Sequence, residues 1–486
     1  MSGQRSNTST ITTSVVSILC MDVVQYCFEY LSVKEVHVHR RVSKLFLQTW
    51  VRCFTKLCLP YYSLRRWQLC LGGKAWAALV NGEFLGGSTS YSCESCGTLL
   101  SSCSSSLVVT SQVSSSFAEV VGVQLPSRWR NSDNIAHVTA LSNLTSLVLR
   151  DNHIGEAGAA HVAALSNLTS LDLRGNYIRE AGAAHIAMLS NLTFLNLQCN
   201  NIGETGAAHV AVMSNLTSLN LNLNWIGDSG AACVAVLTNL ASLELQSNNI
   251  REAGAARVAA LTNLTSLNLN FNWIGDSGAA CVAVLTNLTS LNLQSNNIGD
   301  AGAARVAALT NLTSLDLRSN SIGDAGTTHV AALTNLAYLN LQSNSIGEAG
   351  AAYVAALTNL TSLDLRSNNI GEAGAAHVAA LSNLTSLDLS YNNIGEAGVA
   401  HVAALSYLTF LNLAVNNIGD AGAPYVAALT NLTSLNLYNN NIGNAGATHV
   451  AALSNLTFLE LGGNHIGQAC AAHVAMLINL TSVIST

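Results

Sequence analysis

The sequence predicts an α/β solenoid, with parallel strands inside and short helices outside, preceded by a small all-α N-terminal unit. A 24-residue pattern runs fourteen times without a break from Leu144 to Asn479. Within each copy the apolar spacing changes from alternation, as at Leu363 and Leu365, to helical spacing, as at Ala375, Val378 and Leu381. A single copy cannot bury its own leucines, whereas a stack joins them into one core.

Residues 1–14 are rich in Ser and Thr and read as a disordered tail. In residues 15–58, Val23, Val24, Cys27, Phe28 and Leu31 share one helical face. The pattern breaks at Ser32 and resumes with Val36, Val38, Val42, Leu45 and Phe46, as a compact helical unit would. Residues 59–116 form an irregular segment followed by a flexible linker, with thirteen Ser between Ser88 and Ser116. Residues 117–143 are a degenerate capping repeat, because Val123 and Leu125 stand one repeat length before Leu147 and Leu149. Residues 480–486 open a further strand with no polar cap behind it, the pattern of a truncation or a docking edge.

The order Leu19, Asp22-Val23-Val24, Phe28-x-Tyr30-Leu31, Glu35-Val36 and Val42-Ser43-Lys44-x-Phe46 resembles the F-box, with Cys20 where that family usually has Pro. The resemblance implies that Leu19, Val23, Val24, Phe28 and Leu31 dock a Skp1-type adaptor.

In the repeat Leu360–Asn383, an Asn at position 368 recurs in every copy from Asn152 to Asn464 among apolar neighbours. A buried amide is costly unless paired, so this column is expected to face inward and bond the backbone of its own and the adjacent coil. The Gly374 column fails only at Cys470, so it should require positive φ or close packing. The Gly371 column admits Arg179 and Arg251 and should require neither. The pattern LxxLxLxxNxI followed by IGEAGAAHVAAL resembles the leucine-rich repeat in its 24-residue GALA-type form. That resemblance implies a horseshoe with a concave strand face.

The formal charge of −6 conceals an asymmetry. Residues 1–130 carry 12 Lys and Arg against 6 Asp and Glu (12 − 6 = +6), and residues 131–486 carry 8 against 20 (8 − 20 = −12). An acidic solenoid does not suit nucleic acid. The apolar residues are dispersed, with no run of the roughly 18 that a membrane span needs. Twelve Cys without a paired framework and an N-terminus without a signal peptide suit a cytoplasmic or nuclear location. Twelve Asn-Leu-Thr sequons recur because the repeat recurs.

No nucleophile, base and orienting group stand together, so the chain reads as a binder rather than an enzyme, and no cofactor is implied. Cys93-x-x-Cys96 is too slight for a zinc set, and the His column from His137 to His473 also admits Arg257, Cys233 and Tyr353. Asp or Glu opens the helix in twelve of fourteen coils and stabilises it there. Deviations from a monotonous strand face mark a partner surface: Trp225, Phe271 and Trp273 as aromatic anchors, with Arg318 and Arg366 as charged partners. The leading reading is the substrate-recognition subunit of a Skp1-cullin-F-box ubiquitin ligase that holds a protein substrate on the concave face. The alternative is an interaction scaffold or inhibitor with no ligase link.

Overall fold

Alternation puts Leu363 beneath the three-residue strand Ser362–Asp364, with its two polar neighbours on the opposite face. The computed structural model describes residues 56–60, 106–113, 118–124, 135, 138, 142–477 and 482–484. It divides into one unit of residues 1–153 with 164–172 and a second of residues 154–163 with 173–486.

In the second unit each strand pairs in parallel with its counterpart in the next repeat, so that Leu291 meets Leu315 and Leu315 meets Leu339. The ladder runs from Phe194–Asn196 to Phe458–Glu460, and Ser482–Ile484 extends it in the same sense. Helices alternate with the strands, from seven residues in Glu252–Val258 to ten in Gln468–Leu477. Leu360, Leu363, Leu365, Ile370, Ala375, Val378 and Leu381 are each at most 1% exposed. Each large side chain among them contributes about 1.5–3 kcal/mol on burial. The α/β solenoid of parallel strands and short helices is therefore the architecture formed.

The Asn column faces inward as expected. Asn200 Nδ2 donates to Leu197 O of its own coil at 3.0 Å and to Leu173 O of the preceding one at 2.9 Å. Its Oδ1 accepts from Asn176 N at 3.0 Å and Ile178 N at 3.1 Å. One amide thus joins two coils with both ends satisfied.

The Gly374 column meets its expectation, and the Gly371 column departs from its own. At Gly374 a Cβ would lie 2.6 Å from Ile370 Cγ2, so this column is fixed by close packing. Positive φ occurs instead in part of the other column, at +64° in Gly371, and Arg179 takes the same conformation at +57°.

In the first unit, Ala118–Gln124 pairs in parallel with Ser146–Val148 and sets Val123 against Leu147, the register expected of the capping repeat. Its other edge is covered by Ser106–Val113 in antiparallel pairing, and that strand by Lys56–Pro60. Covering an edge removes a template for unwanted pairing. Ser106–Val113 falls within the expected Ser-rich linker, where the β-branched run Val108, Val109 and Thr110 favours a strand despite the serines. Lys56–Pro60 is a strand at the boundary of the expected helical unit. The rest of that unit, with Leu19, Val23, Val24, Phe28 and Leu31, lies outside the described residues, as do Cys93 and Cys96.

Candidate binding surface of the repeats

The polar column at the strand ends has a structural duty. Asp364 Oδ1 accepts from Arg366 N at 2.9 Å, and Asn292 Oδ1 accepts from Gln294 N at 3.0 Å. A short Asp or Asn closes this turn onto the amide two residues on. Glu460 closes its turn in the same way onto Gly462 N, whereas at Glu244 the turn stays open and Gln246 N turns instead to Asn222 Oδ1 of the preceding coil at 2.6 Å. Glu244 Oε2 then receives Asn268 Nδ2 at 2.7 Å and Asn222 Nδ2 at 3.4 Å.

Around Glu244 the strand ends carry uncharged amides: Asn220, Asn222, Gln246, Asn268, Asn270, Asn292 and Gln294. Asn270 is 6% exposed and its Oδ1 has no hydrogen-bond partner. The cause is its neighbour, since Gln294 N is already held by Asn292.

Further along, charge returns. Arg318 Nε lies 3.1 Å from Asp316 Oδ2, and Arg318 N donates to Asp316 Oδ1 at 3.1 Å. Burial raises the Asp316 carboxyl, against the opposing pull of Arg318. Asp364 is raised to about 6, first by burial and further by the Asp388 carboxylate, while the Arg366 amide and guanidinium oppose the shift. Asp388 is itself engaged by Ser390 Oγ at 2.6 Å and Asn412 Nδ2 at 2.8 Å. The Arg366 guanidinium lies 5.4 Å from the ring centre of Tyr391.

The three aromatics singled out from sequence lie beyond the strands, in the turns that lead to the helices. Phe271 is three residues and Trp273 five residues past Ser266–Asn268, and Trp225 is five past Ser218–Asn220. They are 49%, 54% and 64% exposed, respectively. Arg318 and Arg366 stand two residues past their strands, four and six coils beyond Trp225. The sequence-predicted residues therefore form two groups: aromatics with amides, and arginines with aspartates. Tyr177 occupies the same column as Trp225 and Trp273 and escaped the sequence reading, although its place two repeats before Trp225 marked it.

The aspartates of the acidic column at the helix starts act on the next coil. Asp228 Oδ1 accepts from Arg251 N at 2.7 Å and Gly254 N at 2.9 Å, both in the following coil. Asp276, Asp300, Asp324 and Asp420 repeat this pair of bonds. Wherever Asp holds it, the receiving residue is extended, with φ −114° at Arg251 and −102° at Gly299. After a Glu it is left-handed, at +57° in Arg179 and +59° in Gly275. The effect continues one coil further: Trp273 N bonds Ile250 O at 2.8 Å and bridges to Arg251, whose guanidinium lies 5.8 Å from the indole ring centre. Trp225 sits two coils after Glu180 and is left-handed at +54°.

The sequon asparagines are tied down as well. Asn359 Nδ2 donates to Thr334 O at 2.9 Å, and Asn239 makes the equivalent bond to Ser214 O although Ala241 breaks its sequon. His161, His185, His377 and His401 are exposed on their helices, and no group of His, Cys, Asp and Glu among the described residues could hold a metal. Among the described residues no helix is long and apolar enough to cross a membrane.

Two family models, both described as leucine rich repeat, match the chain, one at residues 142–202, 286–346, 310–370 and 358–418, the other at 212–235, 260–283 and 428–451. The coils are leucine-rich repeats. Among solved leucine-rich-repeat structures, an internalin of Listeria monocytogenes is similar at 27% identity and a TM-score of 0.50, over 73% of this chain and 94% of that one. A leucine-rich-repeat protein of Leptospira interrogans shares the fold at 23% identity and a TM-score of 0.53, over 72% and 92% of the two chains. No curated protein matches the chain.

Proposed function

We propose that this leucine-rich-repeat protein is a binding adaptor, the substrate-recognition subunit of a Skp1-cullin-F-box ubiquitin ligase working in the cytoplasm or nucleus. The observation that carries the binding half is the concentration of exposed aromatics, Trp225, Phe271 and Trp273, beside a strand face of amides. A non-enzymatic role accords with acids that are committed to turns and neighbouring helices. The ligase half rests on the F-box-like order of residues 15–58, where Leu19, Val23, Val24, Phe28 and Leu31 would supply apolar docking surface for a Skp1-type adaptor.

Co-purification with a Skp1-type protein, with and without residues 15–58, tests the ligase link. A double change of Leu19→Asp and Val23→Asp should abolish it. Retained binding in either variant would favour an interaction scaffold or inhibitor that uses the same repeat surface with no ligase link.

A further inference from the structure

We infer that the strip from Tyr177 to Trp273 takes a proline-rich segment in the polyproline II conformation; this rests on the reading above that the repeats hold a protein partner. Tyr177, Trp225 and Trp273 stand in one column, two coils apart at each step, and are 49%, 64% and 54% exposed. Neighbouring parallel strands lie about 4.8 Å apart, so two coils advance about 10 Å. A polyproline II chain advances about 9 Å per turn of three residues. One proline in three thus meets one ring in two coils, and aromatic-lined grooves are the usual receptors for such chains.

The polar neighbours fit the same ligand. A polyproline II chain makes no internal hydrogen bonds, so its carbonyls and its non-proline N–H groups all seek partners. Gln246 and Gln294, beside the aromatic turns, carry amide donors, and each Trp adds an indole N–H donor. From Asn196 to Asn292 Glu244 is the one carboxylate at the strand ends, and it is already held by Asn222 and Asn268, so a basic segment gains little here.

Binding of synthetic dodecapeptides to the full chain tests the match of periods. Four Pro-Ala-Gln triplets should bind at least tenfold more tightly than three Pro-Ala-Gln-Ala quartets, which place proline out of step. Trp225→Ala and Trp273→Ala should each weaken the triplet peptide at least tenfold, whereas Trp225→Tyr should retain most binding and Tyr407→Ala, on a distant turn, should change nothing. Melting temperatures of the variants separate lost binding from lost folding. Equal binding of the two peptides, absence of binding to either, or capture of cellohexaose by the same Trp residues would overturn the inference. Co-purification with the Skp1-type adaptor, read on the same variants, is independent of the strip and reports on the adaptor reading alone.

Discussion

Asp228 holds Arg251 in an extended conformation by accepting its backbone N–H at 2.7 Å across the boundary to the next coil. Arg179, which follows Glu156, lacks that bond and is left-handed at +57°. A non-glycine residue in that region costs about 1–2 kcal/mol. Arg179→Gly should therefore raise stability by about 1 kcal/mol, and Arg251→Gly should not. Asp228→Glu should lower stability by a similar amount and turn Arg251 left-handed. Thermal unfolding of the three variants, with a structure of the last, decides the matter.

Asn320 Nδ2 donates to Leu293 O at 3.0 Å and Leu317 O at 2.9 Å, and its Oδ1 accepts from Asn296 N and Ile298 N. Replacing it with Ala strands groups in two coils and should cost about 2 kcal/mol or more. The neighbouring Ser321→Ala removes an exposed hydroxyl and should be nearly neutral. Equal melting temperatures for the two variants would show that the Asn column does not hold the coils together.

Asp364 gives a dependence on pH. Its carboxyl rises from 3.8 to about 6 in the folded chain because burial, and then Asp388, disfavour the charged form. Between those values the folded state binds more protons than the unfolded state, so this group's contribution to stability falls as pH rises through the window. Asp364→Asn, which keeps an acceptor for Arg366 N, should raise the melting temperature above about pH 6 and give no gain near pH 4. A gain that is constant across that range would assign the effect to something other than this carboxyl.

Trp225, Phe271 and Trp273 are all at least 49% exposed, so truncating them to Ala removes little core. Partner capture should weaken substantially, since such anchors contribute about 2 kcal/mol or more each, while the melting temperature should hardly move. Should the melting temperature collapse, the rings are packing residues and the partner surface lies elsewhere, Arg318 and Arg366 being the next positions to change.

The fold was legible because its determinants recur in every coil at one spacing. Leu363, Leu365 and Asn368 each answer a demand that lies within a coil or between identical columns, and periodicity displays such demands directly. The Asp and Glu at the helix starts looked interchangeable as helix-stabilising acids, because nothing in one coil shows that its side chain is used by the next. Asp364 and its column were readable as surface but not as turn-closing acceptors, since closure depends on geometry past the strand. The isolated acceptor of Asn270 was likewise invisible, being created by Asn292 in the next coil rather than by its own sequence.

The coils 216–239 and 264–287 differ at one position, Leu223 against Phe271, yet one leaves its Trp left-handed and the other does not. In the first, Asn222 Oδ1 is engaged; in the second, Asn270 Oδ1 is not. Copying a stretch of gene in such a protein does not copy a surface, because the new unit takes its shape from whichever neighbours it lands between. Duplication with almost no later substitution therefore supplies fresh recognition chemistry, and a lineage that gains and loses units can change what it binds while its units keep nearly the same spelling.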